Sequence, residues 1–210
     1  MSVSARAIAL AESANHRLAE HLQTVAELAV EVADELGVSR EERYHVELAA
    51  LLHDIGKVGL MEEIMDKPGG LTLAELDLVK QHPVRGQAIL EGAGEPLARI
   101  APVVRSCHER WDGGGYPDGL AGDDIPLIAR IVFCCDAYDA ITSDRPYSAA
   151  MSHTQAIAEL WSCAETQFDP DVVAAVVRAT SRRRTAGSDE ARPLAGQAPA
   201  YLAPARASSV

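Results

Sequence analysis

The apolar run Leu48-Ala49-Ala50-Leu51-Leu52, followed directly by His53-Asp54-Ile55-Gly56-Lys57, constrains this chain more than any other segment. It reads as a buried helix that carries an imidazole and a carboxylate to its end. Burying such a pair is costly unless something compensates for it. Adjacent imidazole and carboxylate offer a metal two ligands of different hardness, and the carboxylate can bridge to a second ion. Lys57 lies one helical turn beyond His53, where an ammonium can meet a phosphate. Alone, His53 and Asp54 fit a hydrogen-bonded structural pair as well as a metal site. The further positions His21, His82, His108 and Asp136, each on a different predicted helix or helix end, shift the balance toward metal.

A chain of 210 residues can build one core with a short appendage. Aromatic residues make up only 4% of it, so the core must come from Ala, Val, Leu and Ile, which favours close helix packing. No apolar run approaches the roughly 20 residues that span a bilayer. No charged segment followed by an apolar one marks a signal peptide, so no membrane association and a cytoplasmic location are expected. Cys107, Cys134, Cys135 and Cys163 form no Cys-x-x-Cys pair and read as reduced thiols. A net charge of −12 argues against broad binding to a nucleic-acid polymer. It leaves room for a small anionic ligand, because metal ions and a few local cations reverse the potential of a pocket.

The periodicity predicts an all-α protein. A helix from about Asn15 to Leu36 carries Leu18, Leu22, Val25, Leu28, Ala29 and Val32 at helical spacing, and Gly37 ends it. Ser39 to Glu42 and Thr72 to Glu75 are capping boxes, the second opening a helix that breaks near His82-Pro83. Lys67-Pro68-Gly69-Gly70 is a turn. A further helix is expected to end near Trp111, before a glycine-rich loop from Asp112 to Asp124. Pro126 opens the helix that carries Asp136, Ser152 caps another, and Asp169-Pro170 begins a last one. From about Ser181 the apolar period vanishes and disorder is expected. The expected organisation is an N-terminal extension over 1–14, a domain over 15–180 and a tail over 181–210.

In helical bundles, metal sites are built from inward-facing side chains on neighbouring helices. Imidazole and carboxylate without thiolate dominance suit Fe, Mn or Zn. Two metals sharing a carboxylate can bind a phosphate and activate a water for in-line attack.

The ordered series of motifs from about His21 to Val177 resembles the HD-GYP domain, a branch of the HD phosphohydrolase superfamily. It comprises His53-Asp54-Ile55-Gly56-Lys57, Lys67-Pro68-Gly69, His82-Pro83 with Gly86, and His108-Glu109-Arg110-Trp111-Asp112 running on to Gly115-Tyr116-Pro117. Ala129-Arg130-Ile131, Asp136-Ala137-Tyr138-Asp139-Ala140, Thr142-Ser143, Arg145-Pro146-Tyr147 and Phe168-Asp169-Pro170 follow. The resemblance implies an HD-domain-like helical bundle that hydrolyses cyclic di-GMP to linear pGpG, to GMP, or to both. It implies metal ligands at His21, His53, Asp54, His82, His108 and Asp136. Asp54 would bridge, and Lys57 would stand beside the scissile phosphate. Gly115, Tyr116 and Arg145 would contact the substrate.

Three departures bear on that expectation. Cys107 stands where the family usually has a second imidazole, so its thiol is counted among the candidate ligands, with inert packing as the other reading. Arg17 stands where some members place a glutamate for a third metal. Two divalent ions are therefore expected, Fe or Mn ahead of Zn. Ser148 replaces a basic residue that the family often carries. Cys107 and Ser148 together motivate an alternative, a degenerate domain that binds a cyclic dinucleotide or a protein partner without hydrolysis. Another alternative is a hydrolase of a different cyclic nucleotide. Regulation would fall to a signalling partner, homodimerisation or metal redox state. His16, His45 and His153 match no ligand position, and Trp111 is expected to anchor the glycine loop by packing.

Overall fold

The computed structural model describes residues 16–58, 72–144 and 149–186. Helix α1 (His16–Leu36) stops at Gly37, whose φ of 69° a side chain would disfavour. Ser39 then caps α2 (Arg40–Leu52): its hydroxyl accepts the Glu42 N–H while the Glu42 carboxylate accepts the Ser39 N–H. Residues Leu48 to Leu52 are all buried, as their run predicts. The chain tightens into a 3-10 turn over Ile55–Lys57. Thr72 and Glu75 cap α3 (Leu73–Val79) in the same reciprocal way. The break expected at His82-Pro83 is present, with α4 over His82–Gly92 and α5 over Leu97–Arg105. After the glycine-rich loop, α6 (Leu127–Thr142) follows Pro126. Ser152 and Gln155 cap α7 (His153–Ser162). The Asp169 carboxylate accepts the Asp171 N–H at the start of α8 (Pro170–Ala186).

Helix α6 is the centre of the fold. Ala129, Ile131, Val132, Cys134, Cys135, Ala137 and Ala140 are buried along it, and α1, α2, α7 and α8 pack around it. Many facing residues are small, among them Ala29, Ala33, Ala49 and Ala50, so backbones approach closely without aromatic filling. No strand occurs among the described residues, only an isolated bridge between Ala164 and Phe168. No described helix is long and apolar enough to cross a membrane.

Two helix ends differ from the expectation. Helix α5 stops at Arg105, not near Trp111. Ser106 and Cys107 N–H groups bond three residues back, closing the last turn. Further on, the Trp111 and Asp112 N–H groups bond the Gln167 and Thr166 carbonyls, partners that periodicity cannot register. Helix α8 runs past residue 180 to Ala186. Its polar end faces α1, where Arg178 and Arg182 pair with Glu35 and Arg183 pairs with Glu31 at 2.6 Å. Residues 187–210, the turn over 67–70, Arg145, Ser148 and the Arg17 side chain lie outside what the structure describes.

Candidate metal centre

His53 sits at the C-cap of α2 and His82 at the first residue of α4. In both, Nδ1 bonds a backbone carbonyl one turn back, Ala50 at 2.8 Å and Val79 at 2.7 Å. A carbonyl only accepts, so Nδ1 carries the hydrogen and Nε2 presents its lone pair. Both Nε2 atoms are buried and no hydrogen bond reaches them. An orphaned buried acceptor is costly, and a cation is the partner that imidazole lone pairs in this setting fit.

The side chains fall into two groups. His21, His53 and Asp136 form one; Asp54, His82 and His108 form the other. Within each, the candidate ligand atoms lie within 4.8 Å of one another. Asp54 joins them: its Oδ1 lies 3.3 Å from His82 Nε2, 3.7 Å from His53 Nε2 and 3.9 Å from His108 Nε2. Its Oδ2 accepts from Lys57 Nζ at 2.7 Å. One carboxylate thus faces both groups and a cation.

The electrostatics suit cation binding. Burial opposes charge on Asp54, but Lys57, His53 and His82 outweigh it and hold its pKa well below the ordinary carboxylate value. Burial, helped by His82 and Lys57, lowers the His108 pKa strongly and keeps that imidazole neutral. Burial likewise opposes charge on His21, yet Asp136 and Asp139 raise its pKa to about 10. A cation entering the first group must displace that proton.

Asp139 is a residue of this site that the sequence reading did not single out. Its Oδ2 lies 2.6 Å from His21 Nδ1, while His21 Nε2 lies 3.2 Å from Asp136 Oδ1. The Ser143 hydroxyl donates to its other oxygen at 3.0 Å. A carboxylate on the far nitrogen of a ligating imidazole fixes its tautomer and ring orientation. The signal was present: Asp139 follows Asp136 by three residues on α6, hence on the same face. Asp139→Ala should weaken metal affinity by about 10–100-fold, checked by titrating the metal-stripped protein against a competing chelator.

The glycine loop runs against the second group. The Tyr116 N–H donates to the His108 carbonyl at 3.2 Å, and its ring lies parallel to the His108 ring with centroids 5.3 Å apart. Lys80 Nζ is 5.8 Å from the Tyr116 ring centre. Burial, with Asp54 and Asp136 nearby, raises the phenol pKa and keeps the hydroxyl protonated. Gly115 is required by space: a Cβ there would collide with the Arg110 backbone nitrogen and lie 2.5 Å from Glu109 Cα. Cys107 joins neither group; its buried thiol donates to the Val103 carbonyl at 3.3 Å. Burial, with Asp136 and Asp54, raises its pKa and keeps it protonated. Trp111 packs at the foot of the loop under the Arg130 guanidinium, which pairs with Asp169 at 2.7 Å and Asp123 at 2.9 Å. His45 and His153 join neither group, and His153 pairs with the Tyr138 hydroxyl at 2.9 Å.

The chain is 40% identical over 179 residues to the cyclic di-GMP phosphodiesterase response regulator RpfG of Xanthomonas campestris pv. campestris, covering 85% of this chain and 47% of that protein. It is 39% identical over 161 residues to the 3'3'-cGAMP-specific phosphodiesterase 3 of Vibrio cholerae, covering 77% of this chain and 35% of that one. The chain therefore spans less than half the length of these relatives. A crystal structure of a cyclic GMP-AMP-specific phosphodiesterase of V. cholerae superposes with a TM-score of 0.65 over 88% of this chain and 49% of that one. At 19% identity that likeness establishes the fold alone. The family model described as HD domain matches residues 6–172. With its His53-Asp54 pair at the junction of two buried ligand groups, the chain belongs to the HD domain family.

Proposed function

We propose that the chain is a metal-dependent phosphodiesterase that opens cyclic di-GMP to linear pGpG, GMP or both. The observation that carries this reading is the pair of buried ligand groups joined by Asp54 beside Lys57. Two divalent ions fit the two groups, with Fe or Mn ahead of Zn because the donors are imidazole and carboxylate. Bound there, such ions supply the Lewis acidity that polarises a phosphodiester and acidifies water.

The chain's own residues do the rest. Asp54 stays ionised and turns one oxygen, Oδ1, toward both ligand groups. Lys57 leans on its other oxygen, a cation positioned to meet a phosphate. His53 and His82 turn Nε2 toward the centre, and His108, kept neutral by burial, joins them there. The protonated Tyr116 hydroxyl and the Lys80 ammonium flank the same end of the site, where a hydrogen-bond donor and a cation both favour an anionic ligand. In a chain of net charge −12, these local cations make a small anion the suitable ligand and not a nucleic-acid polymer. A messenger substrate of this kind implies work in the cytoplasm, with a partner protein or second copy as the source of regulation.

The test is anaerobic purification, metal analysis, and turnover of cyclic di-GMP and 3'3'-cGAMP before and after chelation. The expected result is about two ions per chain, one per ligand group, and turnover that chelation abolishes and Fe or Mn restores. Dinucleotide binding without metal or turnover would establish the degenerate reading instead. Cys107→Ala should leave metal stoichiometry unchanged, because the thiol faces the Val103 carbonyl. Its cost should appear as a small loss of thermal stability, about 1 kcal/mol for the vacated volume. A fall in stoichiometry would make the thiol a ligand.

A further inference from the structure

We propose that Glu109 is the positioning residue of the substrate loop: its buried carboxylate closes the loop at its base and so holds Tyr116 against His108. The proposal rests on the reading of Tyr116 as a wall of the phosphodiesterase site.

Glu109 is 2% exposed. Oε1 accepts the Asp118 and Gly119 N–H groups at 2.7 and 3.1 Å, and Oε2 accepts the Leu120 N–H at 3.1 Å. Three successive amides therefore converge on one side chain, and both carboxylate oxygens are occupied. The chain leaves Glu109, makes the glycine turn and returns to the same residue ten positions later. Within that closed span the Gly115 backbone lies on the Glu109 backbone too closely for a Cβ. Tyr116 is then held at both its N–H and its ring by His108.

The consequence is mechanical. His108 belongs to a ligand group, Tyr116 forms the adjoining wall, and Glu109 follows His108 directly in the chain and gathers the far side of the loop. One side chain thus sets the distance between the two. The Arg105–Asp118 ion pair also ties the loop, but both groups are about a third exposed and solvent weakens such pairs. Glu109 belongs to neither ligand group, so releasing it should loosen the wall and leave the metals.

The test uses Glu109→Gln and Glu109→Ala in the full chain, with hydrogen exchange at the 118–120 amides, metal stoichiometry, the cyclic di-GMP dissociation constant, and KM and kcat. A glutamine keeps one acceptor oxygen. Exchange at Leu120 should accelerate while Asp118 and Gly119 stay protected, and alanine should release all three. Metal stoichiometry should hold. Because a pre-ordered loop must now be ordered by the ligand, the dissociation constant and KM should rise about tenfold with kcat little changed. Unchanged exchange at 118–120 in both variants overturns the latch. Released amides with unchanged binding overturn its role in positioning, and lost metal reassigns Glu109 to the metal centre. If wild-type protein turns over neither dinucleotide, the proposed activity fails, and exchange and binding still decide the latch.

Discussion

Asp54→Ala should abolish turnover and empty the metal centre while leaving the helical circular dichroism of the protein nearly unchanged. Among the described residues, Asp54 is the carboxylate placed between the two ligand groups, and it also holds Lys57. Its loss would remove a candidate ligand from the second group and the link to the first, and would free the Lys57 ammonium. Metal ions contribute several kcal/mol to such transition states, so the rate should fall by about a thousandfold or more at 1.36 kcal/mol per tenfold. The fold should survive because Lys57 is partly exposed and can turn its ammonium to water, and because Asp54 lies outside the core cluster. Asp54→Asn keeps the volume and removes only the charge, so it separates lost packing from lost ligation. The measurements are metal content, turnover and far-ultraviolet circular dichroism. Wild-type turnover in either variant would remove Asp54 from the centre of the site.

Gly56→Ala should be nearly as damaging, though glycine and alanine differ by one methyl group and neither bears a functional group. A Cβ on Gly56 would collide with the His82 carbonyl oxygen and lie 2.7 Å from the Gly86 backbone nitrogen. Both obstacles are backbone, so neither can rotate away. The 3-10 turn after His53-Asp54 must therefore move off the first turn of α4, which carries His82. Overpacking of this kind costs about 1–3 kcal/mol of stability. The larger effect is on the site, because the displacement widens the gap between Asp54 and His82, now 3.3 Å. An error of about 1 Å in a catalytic arrangement can cost about 100-fold in rate. The expected outcome is a lower thermal midpoint together with weaker metal binding. Normal metal affinity in Gly56→Ala would show that the two segments can separate without disturbing the ligands.

Gly56 also shows how sequence and structure share the explanation. The motif from His53 to Lys57 was legible because its chemistry is local: an apolar helix ends, and imidazole, carboxylate and ammonium follow within one turn. What glycine does there was not legible, since the atoms that require it belong to residues 82 and 86. The candidate ligand positions His21, His53, Asp54, His82, His108 and Asp136 came from their ordered spacing and the family resemblance, and the structure brings all six into two groups. Arg145 lies outside the described residues.

The sequence by itself determined the helical class, the capping boxes at Ser39, Thr72 and Ser152, the break before His82 and the candidate ligand set. All but the ligand set depend on residues within about four positions, the range over which helix caps and periodicity act, while the ligand set came from the resemblance along most of the chain. Only the tertiary structure decided which ligands share a group, that Asp54 stands between the groups, and that Asp139 steadies His21 across 118 positions of sequence. Only it decided that the Cys107 thiol turns to a carbonyl and that Glu109 gathers three loop amides. The same holds for the end of α8, where a polar sequence that reads as disordered is helical to Ala186 and its Arg182 and Arg183 meet Glu35 and Glu31 of α1. In each case the partner that settles a side chain's role is distant in sequence, and packing alone brings it within reach.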